Sequence, residues 1–332
     1  MAILVTGAAG FIGFHVAHAL LRRGDSVIGV DNLNDYYSVK LKRDRLARLQ
    51  DMDGFAFVKV DLANSGAVNA ALAGQAIDRI VHLAAQAGVR YSLEHPHAYL
   101  DANVTGHLNV LELARRLPRC VHLVYASSSS VYGGNTKLPF AETDRVDTPV
   151  SLYAATKKAD ELISQCYSHL YRLPQTGLRF FTVYGPWGRP DMAMWQFTDA
   201  IIKDRPITVF NHGDMRRDFT YIDDIVAGVL GCLDCPPADD GRDHMPGSSA
   251  PHRVFNIGNN RAEPLLRMIA VLEEAIGKKA IKQMAPMQPG DVKETYADIA
   301  AIQGAVGYAP TTPIDAGVPA FVTWFKSYHG LN

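Results

Sequence analysis

Over roughly the first 180 residues, short β-branched runs alternate with amphipathic stretches, and this rhythm restricts the chain to very few folds. In order these are AILVTG, FIGFHVAHALLRRG, SVIGVD, a charged helical segment near Leu41 to Leu49, FAFVKVD and RIVHLAA. A long helix from about His97 to Leu117, the strand VHLVYASS, a helix from about Leu152 to Arg172 and the strand TGLRFF follow. Strand-helix alternation of this kind implies an α/β protein with a parallel, doubly wound sheet and helices on both faces. After Gly185 the elements become shorter and Pro-rich: GPWGRPDMA, RPITVF, RRDFTYIDDI, a strand near Arg253 to Ile257 and a helix near Pro264 to Ile276. The expectation is a nucleotide-binding domain over 1–185, with some later segments returning to it, and a smaller C-terminal α/β lobe over 186–332. CPPADDGRDHMPGSSAPH, between Cys235 and His252, reads as an exposed loop.

Charge and cysteine usage exclude several classes. Lys plus Arg number 33 against 34 Asp plus Glu, so no global field favours nucleic acid or an anionic membrane. No apolar run approaches the ~20 residues that span a bilayer. A first strand at Ala2 leaves no room for a secretion signal, so the cytoplasm is expected. The four cysteines make no disulfide framework, and Cys232-x-x-Cys235 reads as a helix end rather than a metal or redox site. His95 and His97 flank a proline without a spaced partner, and no metal is expected.

TGAAGFIG lies between the strand AILV and the helix FIGFHVAHALLRRG, which stops at Gly24. Strand, Gly-x-x-Gly-x-x-Gly and helix in one unit form a Rossmann-type cradle. Gly7, Gly10 and Gly13 let bare backbone approach a pyrophosphate, and the helix N-terminus supplies N–H groups. The next strand ends in Asp31, whose carboxylate suits ribose hydroxyls and repels a 2′-phosphate. NAD is therefore expected over NADP, with Lys40, Lys42 and Arg43 nearby as the opposing signal. Asp61, after the third strand, is placed either beside the adenine or as a helix cap.

Tyr153 and Lys157, at i and i+4, share one helix face, and a nearby cation favours the phenolate form of a tyrosine acting as base. The strand before them ends in Ser127 to Ser130, at the strand ends where ligands bind in this fold. Hydroxyls buried there need partners, and a polar ligand or water would supply them.

TGAAGFIG, Asp31, HLAAQAGVR, SSSSVYG and Tyr153-x-x-x-Lys157 together resemble the extended short-chain dehydrogenases/reductases over nearly the whole chain. Within that family, DNLNDYYSVKLKRDRL, AGVRYSLEHP, YAATKKADEL, LRFFTVYGPWGRPDMA, RRDFTYIDDI and QPGDV are similar to the UDP-glucuronate 4-epimerases. The resemblance implies that Tyr153 takes the proton of the sugar 4-hydroxyl, Ser128 hydrogen-bonds the same oxygen, and Lys157 holds the nicotinamide ribose. It extends the NAD site to Phe11, Ile12, Asn32, Leu62, Leu83, Ala84, Ala85 and Asn103. It implies diphosphate clamping by Arg189 and Arg217, uracil stacking by Phe210, a ribose contact from Asp291, and sugar contacts from Gly88, Arg90, Ser128, Ser129, Ser130 and Thr182. Thr182 stands where galactose epimerases of the family usually carry Asn.

Related dehydratases carry an acidic pair beside the position of Ser128, and related decarboxylases a Glu; here Ser129 and Ser130 occupy those places. Elimination thus lacks its acid and base. Donors from Ser129, Ser130 and the Gly88 backbone are expected to pin the carboxylate of a 4-keto glucuronate against loss. The reading is UDP-glucuronate 4-epimerisation with NAD. Another UDP-sugar 4-epimerase, a UDP-glucuronate decarboxylase and a non-catalytic NAD-sensing protein are the alternatives. Leu108, Leu111, Leu162, Ile163, Cys166 and Leu170 exceed one core-facing stripe on the two long helices, and in this family such helices pair into a four-helix bundle, so a homodimer is expected. Met192, Met194 and Trp195 read as core or lid packing.

Overall fold

The computed structural model describes residues 2–243, 248–288 and 292–331. Its strands are β1 (Ala2–Thr6), β2 (Ser26–Asp31), β3 (Phe55–Lys59), β4 (Ile77–His82), β5 (His122–Ser128), β6 (Gln175–Phe180), β7 (Thr182–Tyr184), β8 (Ile207–Val209), β9 (Arg216–Tyr221), β10 (His252–Ile257), β11 (Ala262–Pro264) and β12 (Lys282–Met284). Seven of them form one sheet in the order β10-β6-β5-β4-β1-β2-β3, with every pairing parallel. Parallel strands covered on both faces need apolar side chains on both sides, and the sequence supplies them. Val5, Val81 and Val124 enter the core on one face, while their neighbours Leu4, Ile80 and Leu123 enter the core on the other.

The chain runs outward from β1 through β2 to β3, then crosses back to β4 beside β1 and continues through β5 to β6. This reversal opens a crevice at the carboxyl ends of β1 and β4, where ligands of such sheets bind. The late strand β10 joins the same sheet beside β6. The remaining strands form a three-stranded sheet, β11-β9-β7, and a two-stranded one, β12-β8. Their core gathers Phe197, Ile207 and Met268 against Phe321 and Phe325 of the C-terminal helix Ile314–Tyr328.

Helix termini follow their capping residues. Phe11–Arg23 stops at Gly24 in the left-handed conformation, φ 93°, which glycine adopts without Cβ strain. Ile222–Asp234 ends at Cys235, with Cys232 buried in the core. The helix expected from His97 to Leu117 is Pro96–Tyr99, a π-helical segment Leu100–Thr105 and Gly106–Ala114. The wider turn, which periodicity does not reveal, includes the buried Asn103. Of the expected exposed loop, residues 238–243 are exposed, whereas Pro237, Ala250 and Pro251 are buried.

Candidate active site

A cavity of about 460 Å³ follows the carboxyl ends of the central strands. Gly7, Gly10, Phe11, Ile12 and Gly13 line it at one end, where the helix Phe11–Arg23 begins. Gly10 is the N-cap and no side chain among the described residues caps this terminus, which leaves its first-turn N–H groups to an anion. The glycines also serve packing: a Cβ on Gly13 would lie 2.1 Å from the Gly7 carbonyl oxygen, and one on Gly7 would lie 2.8 Å from the Ala84 nitrogen. Only bare backbone lets the helix start close against the turn after β1.

Asp31, Asn32, Asp61 and Leu62 line the next stretch. The Asp31 carboxylate accepts from the Ala9 and Leu33 amides at 3.1 and 2.8 Å, which fixes it at the end of β2. Asp61 accepts from Asn32 Nδ2 at 3.0 Å and from the Ala63 amide at 2.9 Å. The helix Ser65–Ala71 is instead capped by Asn64. Lys42, a cavity residue close to Asp31, donates to the Asn34 carbonyl and side-chain oxygens at 2.7 and 2.6 Å, so its ammonium is already held. Uncapped helix amides, a fixed carboxylate at the end of β2 and an engaged lysine fit a dinucleotide without a 2′-phosphate.

Leu83, Ala84, Ala85 and Gly88 continue the wall after β4, and Ser128, Ser129 and Ser130 continue it after β5. The serines divide their work. Ser127 donates to Glu161 Oε1 at 2.6 Å, inside the protein, and Ser128 Oγ accepts from the Ser130 amide at 3.1 Å while donating to Ser130 Oγ at 3.1 Å. Part of the run is therefore satisfied internally, which residue type alone does not disclose.

The helix Leu152–Tyr171 brings Tyr153 and Lys157 to the same wall. Ser151 caps it by accepting from the Ala154 amide at 3.1 Å, so Tyr153 stands in the first turn, where the helix dipole favours negative charge. Lys157 is 3% exposed, and its ammonium donates to the Ala126 carbonyl and to Asp160 Oδ2, both at 3.0 Å. Tyr99 packs edge-on to Tyr153, ring centroids 6.0 Å apart, and donates its hydroxyl to the Ala87 and Gly88 carbonyls. Asn103 stands behind this wall, with its amide donating to the Gln86 carbonyl at 3.2 Å and to Thr156 Oγ1 at 3.0 Å.

At the far end the cavity is lined by Thr182, Arg189 and Arg217. Arg189 grips Asp191 with Nε and Nη2 at 3.0 and 2.5 Å. Arg90 and Phe210 do not line the cavity; they meet each other, with the guanidinium 5.1 Å from the ring centroid. Asp291 lies outside the described residues. Met192 lines the cavity, Met194 is buried, and Trp195 packs among Phe321, Trp324 and Phe325.

Lining residues that sequence reasoning missed include Tyr36, Gln86, Phe181 and Thr295. Tyr36 lies in DNLNDYYSVK, quoted only as a string, and donates to Asp191 Oδ2 at 3.2 Å. A Cβ on Gly88, which has φ +99°, would lie 2.4 Å from the Tyr36 hydroxyl. Among the described residues, no group of three or more His, Cys, Asp or Glu is placed to hold a metal ion.

The model of the NAD-dependent epimerase/dehydratase family matches residues 3–258. The chain belongs to that family. It is 50% identical to Protein CapI of Staphylococcus aureus over 334 aligned residues, covering 99% of each chain. It is 47% identical to the probable UDP-glucuronate 4-epimerase of Rhizobium meliloti, covering 98% of this chain and 97% of that one. Among solved structures it is similar to UDP-glucuronic acid 4-epimerase from Bacillus cereus in complex with UDP-glucuronic acid and NAD. That likeness has a TM-score of 0.88 and 33% identity, and covers 99% and 100% of the two chains. The parallel sheet expected from strand-helix alternation and the family expected from the motifs are both borne out.

Proposed function

We propose that this protein is an NAD-dependent isomerase that interconverts UDP-glucuronate and UDP-galacturonate by epimerisation at C4 of the sugar. The observation that carries the reading is the placement of Tyr153, Lys157 and the serines Ser128, Ser129 and Ser130 on one cavity wall, in a chain 47% identical over nearly its whole length to a probable UDP-glucuronate 4-epimerase. Bound NAD supplies a reversible hydride acceptor for C4, so that a transient 4-keto sugar can turn over and be reduced on its other face.

The protein's part is to bind, orient and move one proton. Tyr153 Oη takes the 4-hydroxyl proton and returns it, and Ser128 Oγ holds the same oxygen. Lys157, anchored on Ala126, holds the nicotinamide ribose and lends positive charge to the phenol. The first-turn amides of Phe11, Ile12 and Gly13 hold the pyrophosphate, and Asp31 holds the adenosine ribose. Ser129, Ser130, the Gly88 backbone and Thr182 fix the sugar and its carboxylate, while Arg189 and Arg217 meet the diphosphate. Residues 1–185 with β10 carry the cofactor half, and 186–332 mainly the UDP half.

The described residues contain no helix long and apolar enough to cross a membrane. We place the enzyme in the cytoplasm as a homodimer. The helices Gly106–Ala114 and Leu152–Tyr171 bury Leu111 but expose Leu108, Cys166, Leu162 at 59% and Leu170 at 60%, an apolar face that a second copy would cover. For the assigned base the test is Tyr153→Phe, expected to lower kcat by about 10²–10⁴-fold with UDP-glucuronate. Full turnover by that variant contradicts the assignment.

A further inference from the structure

Asp160 stands one turn beyond Lys157 on the helix Leu152–Tyr171, and its Oδ2 lies 3.0 Å from the Lys157 ammonium. The two side chains are 1% and 4% exposed, so the pair is shut away from bulk solvent. Its other oxygen, Oδ1, is buried and has no hydrogen-bond partner among the described residues. A buried carboxylate with an unpaired oxygen costs stability.

Every neighbouring element contributes to its electrostatic setting. On its own helix it faces Lys157 and Glu161. From the helix Gly106–Ala114, the His107 ring hydrogen-bonds the Asp160 backbone carbonyl, and it is kept neutral by burial. Tyr125 of β5 feels the Asp160 charge, and its own hydroxyl is held neutral by burial. His82 of β4, neutral through burial, faces Lys157 and stacks on His107 at 5.2 Å. Glu161 is neutralised by Arg179 of β6. Among these groups, Asp160 is the anion that acts directly on Lys157. Burial pushes its carboxyl up to about 6, with the Lys157 ammonium opposing the rise, so it is ionised above that pH.

We propose that Asp160 is a positioning residue for proton transfer: it pins the Lys157 ammonium against the end of β5 and sets how much of its positive charge reaches Tyr153. The inference rests on the reading of Tyr153 as the base. Lys157 lies between the two on one helix face, four residues from Tyr153 and three from Asp160. A carboxylate therefore tempers the cation that helps the phenol lose its proton, and holds that cation in one place.

The charge and the geometry separate in two variants. Asp160→Asn keeps an oxygen for Lys157 and removes the charge. Asp160→Ser removes the charge with a smaller side chain that cannot overpack. In both, the acid limb of the kcat/KM profile for UDP-glucuronate moves to lower pH. The expected shift is about one unit, the size of one charge ~10 Å away, seven residues along a helix, at an effective dielectric near ~20. A role confined to packing lowers melting temperature or kcat and leaves the limb in place. If Tyr153→Phe is inactive and the limb stays at its wild-type pH in whichever Asp160 variants fold, the proposal is overturned. If Tyr153→Phe keeps full turnover, the reading of the base fails instead, and the two failures are distinguishable. Should neither Asp160 variant fold, the residue is a structural one and the proposal is equally overturned.

Discussion

Arg179 on β6 grips Glu161 on the Tyr153 helix through both forks of its guanidinium, Nε to Oε1 at 2.8 Å and Nη2 to Oε2 at 2.9 Å, in an environment where each side chain is 3% exposed. Burial opposes the Glu161 charge, but the Arg179 hydrogen bonds and charge, with Lys158 and Ser127, outweigh it and hold the carboxyl below its ordinary value. The same carboxylate accepts from Ser127, the residue before Ser128. The pair thus ties the strand end that carries the serines to the helix that carries Tyr153 and Lys157.

Breaking this pair leaves a buried guanidinium uncompensated. Glu161→Gln is expected to lose about 3–5 kcal/mol of stability, read from urea unfolding. Arg179→Lys does not rescue it, because an ammonium cannot make the two parallel bonds. A loss under about 1 kcal/mol, the value of an exposed pair, contradicts the account.

The proposed selection of NAD over NADP rests on Asp31. Its carboxylate is fixed by two backbone amides, and the nearest cavity lysine, Lys42, is engaged by Asn34. In Asp31→Ala the repulsion of a 2′-phosphate is gone. The ratio of NADP to NAD affinity, measured by calorimetric titration of nucleotide-free protein, is expected to rise by at least about tenfold, or ~1.4 kcal/mol. An unchanged ratio would place discrimination elsewhere.

Acid stability follows from buried histidines. Burial is the leading cause in each: it lowers His15 and His252 to about 4, His82 and His122 to about 3, and His107 well below its ordinary value. Unfolding lets all five bind protons below about 6.5, so their contribution is present above that pH and is lost as pH falls toward 4. Asp160 and Asp218, both raised to about 6 with burial first among the causes, work the other way: their contribution is present below about 4 and lost as pH rises through 6. The histidines outnumber them, giving a net uptake of about three protons on unfolding near pH 5. Thermal melts between pH 4.5 and 7 should show the melting temperature rising steeply with pH. A flat profile contradicts this balance.

The glycine turn, the strand ends and the Tyr153–Lys157 spacing were legible because each is a local pattern with a physical period. The long-range ties were not. Nothing in the four serines says that Ser127 turns inward to Glu161, because that depends on β5 lying beside β6 with the Tyr153 helix packed across them. Tyr36 meets the wall at Gly88 through a contact 52 residues away in sequence, which only the fold supplies. Phe210 was read as a base-stacking ring from the family resemblance, and the structure faces it with Arg90. Asn103, read as a cofactor contact, has its amide committed to Gln86 and Thr156 by the π-helical turn.

The central claim is a C4 inversion with the nicotinamide returned to its starting state and the carboxylate retained. Purified protein, given UDP-glucuronate without added nucleotide and followed by proton NMR, tests it in one measurement. The account predicts accumulation of UDP-galacturonate to an equilibrium mixture at constant total UDP-uronate. Formation mainly of a UDP-pentose, or turnover of UDP-glucose while UDP-glucuronate is left untouched, would contradict it.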